Sequence, residues 1–173
     1  MTTMDYPFMV DPREFADKRV LITGGTKGLG AAMARRFLAG GATVAVVGRR
    51  SPSAADGPPV LFIEADVSAA AGSQKIIDRI QQEWGGVDIL INNVGAGVAP
   101  SGGYESITDE VWQRMLDVNF LGAVRLDRAF VPAMTERKWG VVIHIGVALL
   151  ASERGAFACV VDYLTDGGVL QSL

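Results

Sequence analysis

Short apolar runs recur along this chain, and the stretches between them carry helical spacing. Val20–Thr23 (VLIT), Thr43–Val47 (TVAVV), Val60–Ile63 (VLFI), Ile89–Ile91 (ILI) and Val141–Ile145 (VVIHI) are apolar on both faces of an extended chain. A strand of that kind must be covered on both sides, which is the position of a strand inside a parallel sheet flanked by helices. Between the runs, Leu29, Met33 and Phe37 form one helical stripe, ended by Gly40-Gly41, and Ile76, Ile77, Ile80 and Trp84 form another. A longer helix is expected from an N-cap at Thr108, with Val111, Met115, Val118, Leu121 and Val124 on one face. It should end near Met134, with Pro132 disturbing its last turn. Ser51–Pro59 is rich in breakers and reads as a loop. The pattern predicts one doubly wound α/β domain of the Rossmann type.

Composition narrows the function classes. The 173 residues suit a single domain with a sizeable core. Hydrophobic residues make up 49% and charged residues 20%, which argues against disorder. A net charge of −3 lacks the basic footprint of a nucleic-acid binder. No apolar run approaches the ~20 residues that span a bilayer. Residues 1–18 hold Asp5, Asp11, Glu14 and two prolines, with no signal-peptide core. The single cysteine, Cys159, cannot close an internal disulfide, so a reducing cytoplasm is the expected location.

Between the first strand and the first helix stands Thr23–Gly30, TGGTKGLG. Gly24 permits a sharp exit from the strand, Gly28 lets the backbone approach a pyrophosphate, and Gly30 lets the helix pack closely on the sheet. Thr26, Lys27 and Leu29 complete the turn. The helix start that follows offers free N–H groups and a partial positive charge to an anion. A purely structural glycine turn is the alternative reading.

The spacing Gly24-x-x-x-Gly28-x-Gly30 is joined by Asp66-Val67 after the third strand, Asn92-Asn93-Val94-Gly95 after the fourth, and Asn119 within DVNFLG. Together these resemble the short-chain dehydrogenase/reductase family over nearly all of Arg19 to Gly146. The resemblance implies that Asp66 bonds the adenine edge and that Asn93 to Gly95 lie against the adenine ribose. On this reading residues 1–18 are an N-terminal extension and 19–173 one dinucleotide-binding domain. Within it, 19–146 correspond to the family's N-terminal part and 147–173 to its C-terminal end. Cofactor choice follows from charge: a carboxylate after the second strand would chelate the NAD ribose and repel a 2′-phosphate. Gly48-Arg49-Arg50 stands there instead, and Lys27 adds a cation, so NADP(H) is favoured over NAD(H). Solvated loop charges are the alternative for Arg49 and Arg50.

Members of the family are implied to work with a Tyr-x-x-x-Lys pair, a serine closing the fifth strand, and an asparagine in the preceding helix. Asn119 fits the last role and is the one catalytic remnant. Val147 stands where the serine is expected, Tyr163 has Gly167 four positions later, and the lysines are Lys18, Lys27, Lys75 and Lys138. The tail, Leu149 to Arg154 and then Phe157 to Gly168, resembles the closing segment of a family member, as if the chain skipped the catalytic helix after Gly146. Tyr163 then belongs to a final strand. Ala158–Thr165 is expected either to pair beside the fifth strand or to leave it as an exposed edge open to a second copy or another partner.

The reading that follows is a family homologue that keeps the cofactor half-site without hydride-transfer machinery. An active NADP(H)-dependent carbonyl reductase or alcohol dehydrogenase is one alternative. A non-catalytic partner of a full-length family member is another. The partners expected are a small-molecule dinucleotide, with neither nucleic acid nor membrane. His144, the single histidine, sits mid-strand and reads as structural, and no His/Cys cluster suggests a metal site. Trp84, Trp112 and Trp139 are expected to pack the core.

Overall fold

A computed structural model describes residues 11–51, 60–97 and 104–145. Val147, Cys159, Tyr163 and the tail segment Ala158–Thr165 lie outside the described residues, as does most of the Ser51–Pro59 loop. Five strands form one sheet: β1 (Arg19–Thr23), β2 (Thr43–Gly48), β3 (Leu61–Glu64), β4 (Ile89–Asn92) and β5 (Val141–His144). Their order is β3-β2-β1-β4-β5, and every pair is parallel. The doubly wound α/β expectation therefore holds, and each apolar run became a strand within a residue of its expected bounds.

The alternation of side chains across the pleat explains why the runs are apolar throughout. Leu21, Ala45, Val47, Ile63 and Leu90 face one layer, where they meet Ile76 and Ile80 of α2 (Ala70–Trp84) and Leu126 and Phe130 of α4 (Gly122–Glu136). Val20, Ile22, Val44, Val46, Ile89 and Ile91 face the other layer and meet Ala34 of α1 (Gly28–Ala39). Burying both faces takes β1 and β4 almost wholly out of water, and each fully buried Val, Leu or Ile contributes roughly 1.5–3 kcal/mol. The strand order reverses beside β1, whose neighbours are β2 and β4. That reversal opens a crevice at the carboxyl ends of the strands.

The long helix departs from its expected face. It runs as α3 (Asp109–Leu116), a π turn (Asp117–Leu121) and α4. The wider π turn shifts the phase of everything after it. Leu121 and Val124 are consequently only half-buried, and the buried line passes through Gly122, Leu126, Phe130 and Met134. The helix ends at Glu136, with Pro132 on its exposed side. Thr108 occupies the N-cap position of α3 without a side-chain capping bond.

Two of the tryptophans also correct the sequence reading. Trp84 packs against the core, but Trp112 and Trp139 are 36% and 40% exposed. Trp112 lies next to Val111, so the helical rotation carries it off the buried face. Trp139 covers the surface beneath the Lys18 ammonium, 3.9 Å from its ring centroid. Residues before β1 fold back onto the end of α1: Phe15 packs against Phe37, and Glu14 pairs with Arg36.

Candidate functional site

The glycine turn and the end of β4 are built as one unit. Thr23 is buried at the end of β1, and its hydroxyl oxygen accepts from the Asn93 N–H at 2.9 Å and the Val94 N–H at 3.2 Å. The Asn93 amide returns the contact, donating to the carbonyls of Thr23 at 3.0 Å and Gly24 at 3.3 Å. Thr23 was not foreseen as an organiser; a hydroxyl residue between an apolar run and a glycine turn was its only sequence signal. Gly24 and Gly28 have φ of +67° and +56°, which a side chain would strain. A Cβ on Gly30 would lie 2.2 Å from the Gly24 carbonyl oxygen, so the helix can start there only as glycine. Nothing lies within 4 Å of where a Gly28 Cβ would project.

The remaining turn residues divide by exposure. Thr26 packs on Gly48 at the end of β2, while Lys27 and Leu29 are exposed. Lys27 is the N-cap residue of α1, with extended backbone, no side-chain cap and no acidic residue in the first turn. The leading N–H groups of the helix are thus left for an anion. These features fit a pyrophosphate.

A second concavity, about 370 Å³, is lined by Arg49, Glu64, Ala65, Asp66 and Lys75. Its size is at the low end for ligand pockets, enough for part of a dinucleotide. Asp66 uses one carboxylate oxygen to accept from the Ser68 N–H at 3.0 Å and the Ser68 hydroxyl at 2.7 Å. Those bonds from Ser68, helped by the Arg49 charge, hold its carboxyl below the usual carboxylate range. The aspartate is therefore ionised at neutral pH, with its second oxygen not engaged by Ser68. Arg125 donates to the Ser68 carbonyl at 3.0 Å and ties this turn to α4. Val67 is buried beneath it. Arg49 joins Asp66 in the concavity; Arg50 and Lys27 do not line it. Glu64 and Lys75 were missed because neither belongs to a motif.

Asn119 sits in the π turn, and its amide grips Ala96 on both sides. It accepts from the Ala96 N–H at 2.9 Å and donates to the Ala96 carbonyl at 3.0 Å and the Met115 carbonyl at 2.9 Å. In this structure it fastens the loop after β4, where Val94 packs on the core and Gly95 is exposed.

A family model described as short chain dehydrogenase matches residues 18–159. The chain belongs to that family. Its parallel α/β architecture is shared with solved members of the family. The NADP-dependent 3-hydroxy acid dehydrogenase YdfG of Escherichia coli strain K12 is 33% identical over 132 residues, covering 73% of this chain and 53% of the relative. L-Sorbose reductase from Gluconobacter frateurii, solved with NADPH and L-sorbose, superposes with a TM-score of 0.70 at 28% identity, covering 85% of this chain and 58% of that one. NADH-dependent reductase A1-R′, complexed with NAD, gives 0.70 at 26% identity, covering 80% and 63%. This family member spans about half the length of the curated relatives it matches. Among its described residues no helix is long and apolar enough to cross a membrane.

Proposed function

We propose that this chain binds NADP(H) in preference to NAD(H) across the carboxyl ends of β1 to β4, and does not of its own residues transfer hydride to a carbonyl substrate. Gly24, Thr26, Gly28, Leu29 and Gly30 form the pyrophosphate cradle. Lys27, Arg49 and Arg50 take the 2′-phosphate, Asp66 and Val67 the adenine edge, and Asn93, Val94 and Gly95 the ribose.

The observation that carries the reading is the open volume over Gly28 combined with the Asn93–Gly24 hydrogen bond, a cradle held in shape by the chain's own contacts. Preorganisation of that kind lowers the ordering cost of binding. The charge at the end of β2 supports NADP(H), because exposed Arg49 and Arg50 occupy the place of a ribose-chelating carboxylate. The names of the E. coli relative and the sorbose reductase complex support the same choice; the NAD-bound neighbour does not. The lack of turnover rests on chemistry. No lysine follows Lys138 in this chain to lower a tyrosine pKa, and Val147 offers no hydrogen bond where a serine is expected.

Fluorescence titration with NADPH and NADH tests the binding half. Saturable NADPH binding tighter than NADH binding is expected, and no binding at millimolar nucleotide would overturn it. A ketone panel tests the other half: NADPH oxidation abolished by Tyr163→Phe would show that catalysis is retained.

A further inference from the structure

Three side chains far apart in sequence meet directly behind the candidate nucleotide loop. Asn92 and His144 are register partners at the ends of β4 and β5. Asp127 of α4 reaches both: one carboxylate oxygen accepts from Asn92 Nδ2 at 2.9 Å, and the other lies 3.3 Å from His144 Nε2. Asn92 is only 7% exposed, and its Oδ1 has no partner among the described residues. Its side chain is therefore held through Asp127. The same helical unit secures the loop again from Asn119, which grips Ala96. Asn92, just before the loop, and Ala96 within it are thus both tied to the same helical unit, while Asn93 and Val94 are held by Thr23 of β1.

We infer that Asp127 and His144 form a protonation-controlled joint that positions the Asn93–Gly95 loop by holding Asn92, with Asp127 and His144 acting as positioning residues. The inference rests on the proposed nucleotide-binding role of that loop. When charged, the imidazole donates to Asp127 and fixes the carboxylate in the orientation Asn92 needs. When neutral, it offers a weaker donor or, in its other tautomer, a lone pair facing the carboxylate. The hydrogen bond to Asp127, and secondarily the carboxylate's charge, raise the His144 pKa above 6.5, against partial burial.

The other charges on the neighbouring elements are engaged elsewhere or exposed. On α4, Arg125 bonds the Ser68 carbonyl and pairs with Asp117, and Arg128 is exposed. On the β4 side, Asp88 lies at the opposite end of the strand with Arg19 and Arg137. β5 itself holds no other titratable side chain. Because the folded pKa is raised, the joint's contribution is complete below about pH 6.5 and is lost as pH rises through the folded value.

The chain has one histidine, so its imidazole resonance needs no assignment in a titration followed by NMR. On the full chain, the midpoint should lie above 6.5 and fall in Asp127→Asn. Amide exchange at Asn93–Ala96, corrected for intrinsic chemistry, should speed about threefold or more between about pH 6 and about pH 8.5 in the wild type. In Asp127→Asn it should lose that dependence. His144→Gln keeps the Asn92–Asp127 bond and should be equally flat, which secures the test if Asp127→Asn folds poorly. A midpoint unmoved by Asp127→Asn, or wild-type exchange without the pH dependence, overturns the joint. NADPH titration is read separately: a wild type that binds no nucleotide overturns the proposed role of the loop, while the exchange data still decide the joint.

Discussion

The two ends of the sheet are built on opposite electrostatic plans. At the amino ends of β1 and β4, Asp88 accepts from the Arg19 N–H at 2.9 Å, from Nε at 2.8 Å and from Nη2 at 2.8 Å, with Arg137 Nη2 another 3.3 Å away. Arg19 also donates to the Trp84 carbonyl at 2.7 Å, and Arg137 to the Val87 carbonyl. At the carboxyl ends, Lys27, Arg49 and Arg50 are exposed and make no ion pair among the described residues. One pole closes its charges on one another and ties strands together. The other pairs Asp127 with His144 beside β5 but leaves cations around a glycine cradle. A paired charge adds to folding, whereas an unpaired cation on a preformed surface is available to an anion.

Asp88→Ala tests the contrast most severely. It leaves two guanidinium groups without their shared carboxylate and should cost about 3 kcal/mol in urea unfolding at neutral pH. The Arg19 hydrogen bonds hold the Asp88 carboxyl below its ordinary value, so that stability is present above the unfolded pKa and lost as pH falls through the folded one. The gap between wild type and variant should therefore close in acid. A gap unchanged in acid would show that the paired pole owes its worth to packing.

Next in size is Gly30→Ala, at the other pole, where the added methyl meets the Gly24 carbonyl oxygen at 2.2 Å. Overpacking of that kind should cost about 2 kcal/mol of unfolding free energy and abolish NADPH binding. Arg49→Ala and Arg50→Ala should each weaken NADPH binding about tenfold, or about 1.4 kcal/mol, with little effect on NADH. Their unfolding midpoints should shift by no more than about 0.5 kcal/mol. Equal losses for both nucleotides would erase the distinction between the poles. The smallest effect is expected from Trp139→Ala, which removes the platform under Lys18 at a surface site and should cost about 0.5–1 kcal/mol in thermal melts.

How far the sequence could be read depended on the range of each signal. Apolar runs such as Val44–Val47 announce strands because the pleat repeats every second residue. The turn Gly24–Gly30 announces itself because its constraint is steric and lies within seven residues. The π turn broke the helical phase, so Leu121 and Val124 were assigned to a face they only half occupy. Thr23, Lys75 and the Asn92–Asp127–His144 cluster escaped notice because their partners stand in other elements. His144 read as an ordinary strand residue until α4 placed a carboxylate beside it.

Local stereochemistry written in the chain was enough to decide that apolar strands would lie parallel between helices and that a glycine cradle would follow β1. Those outcomes depend on neighbours a few positions away. Folding in three dimensions decided which charges would be shared: Asp88 between Arg19 and Arg137, and Asp127 between Asn92 and His144. The reason is register. Asn92 comes opposite His144 only once β4 and β5 have paired, and Asp127 reaches both only because α4 packs across that pair.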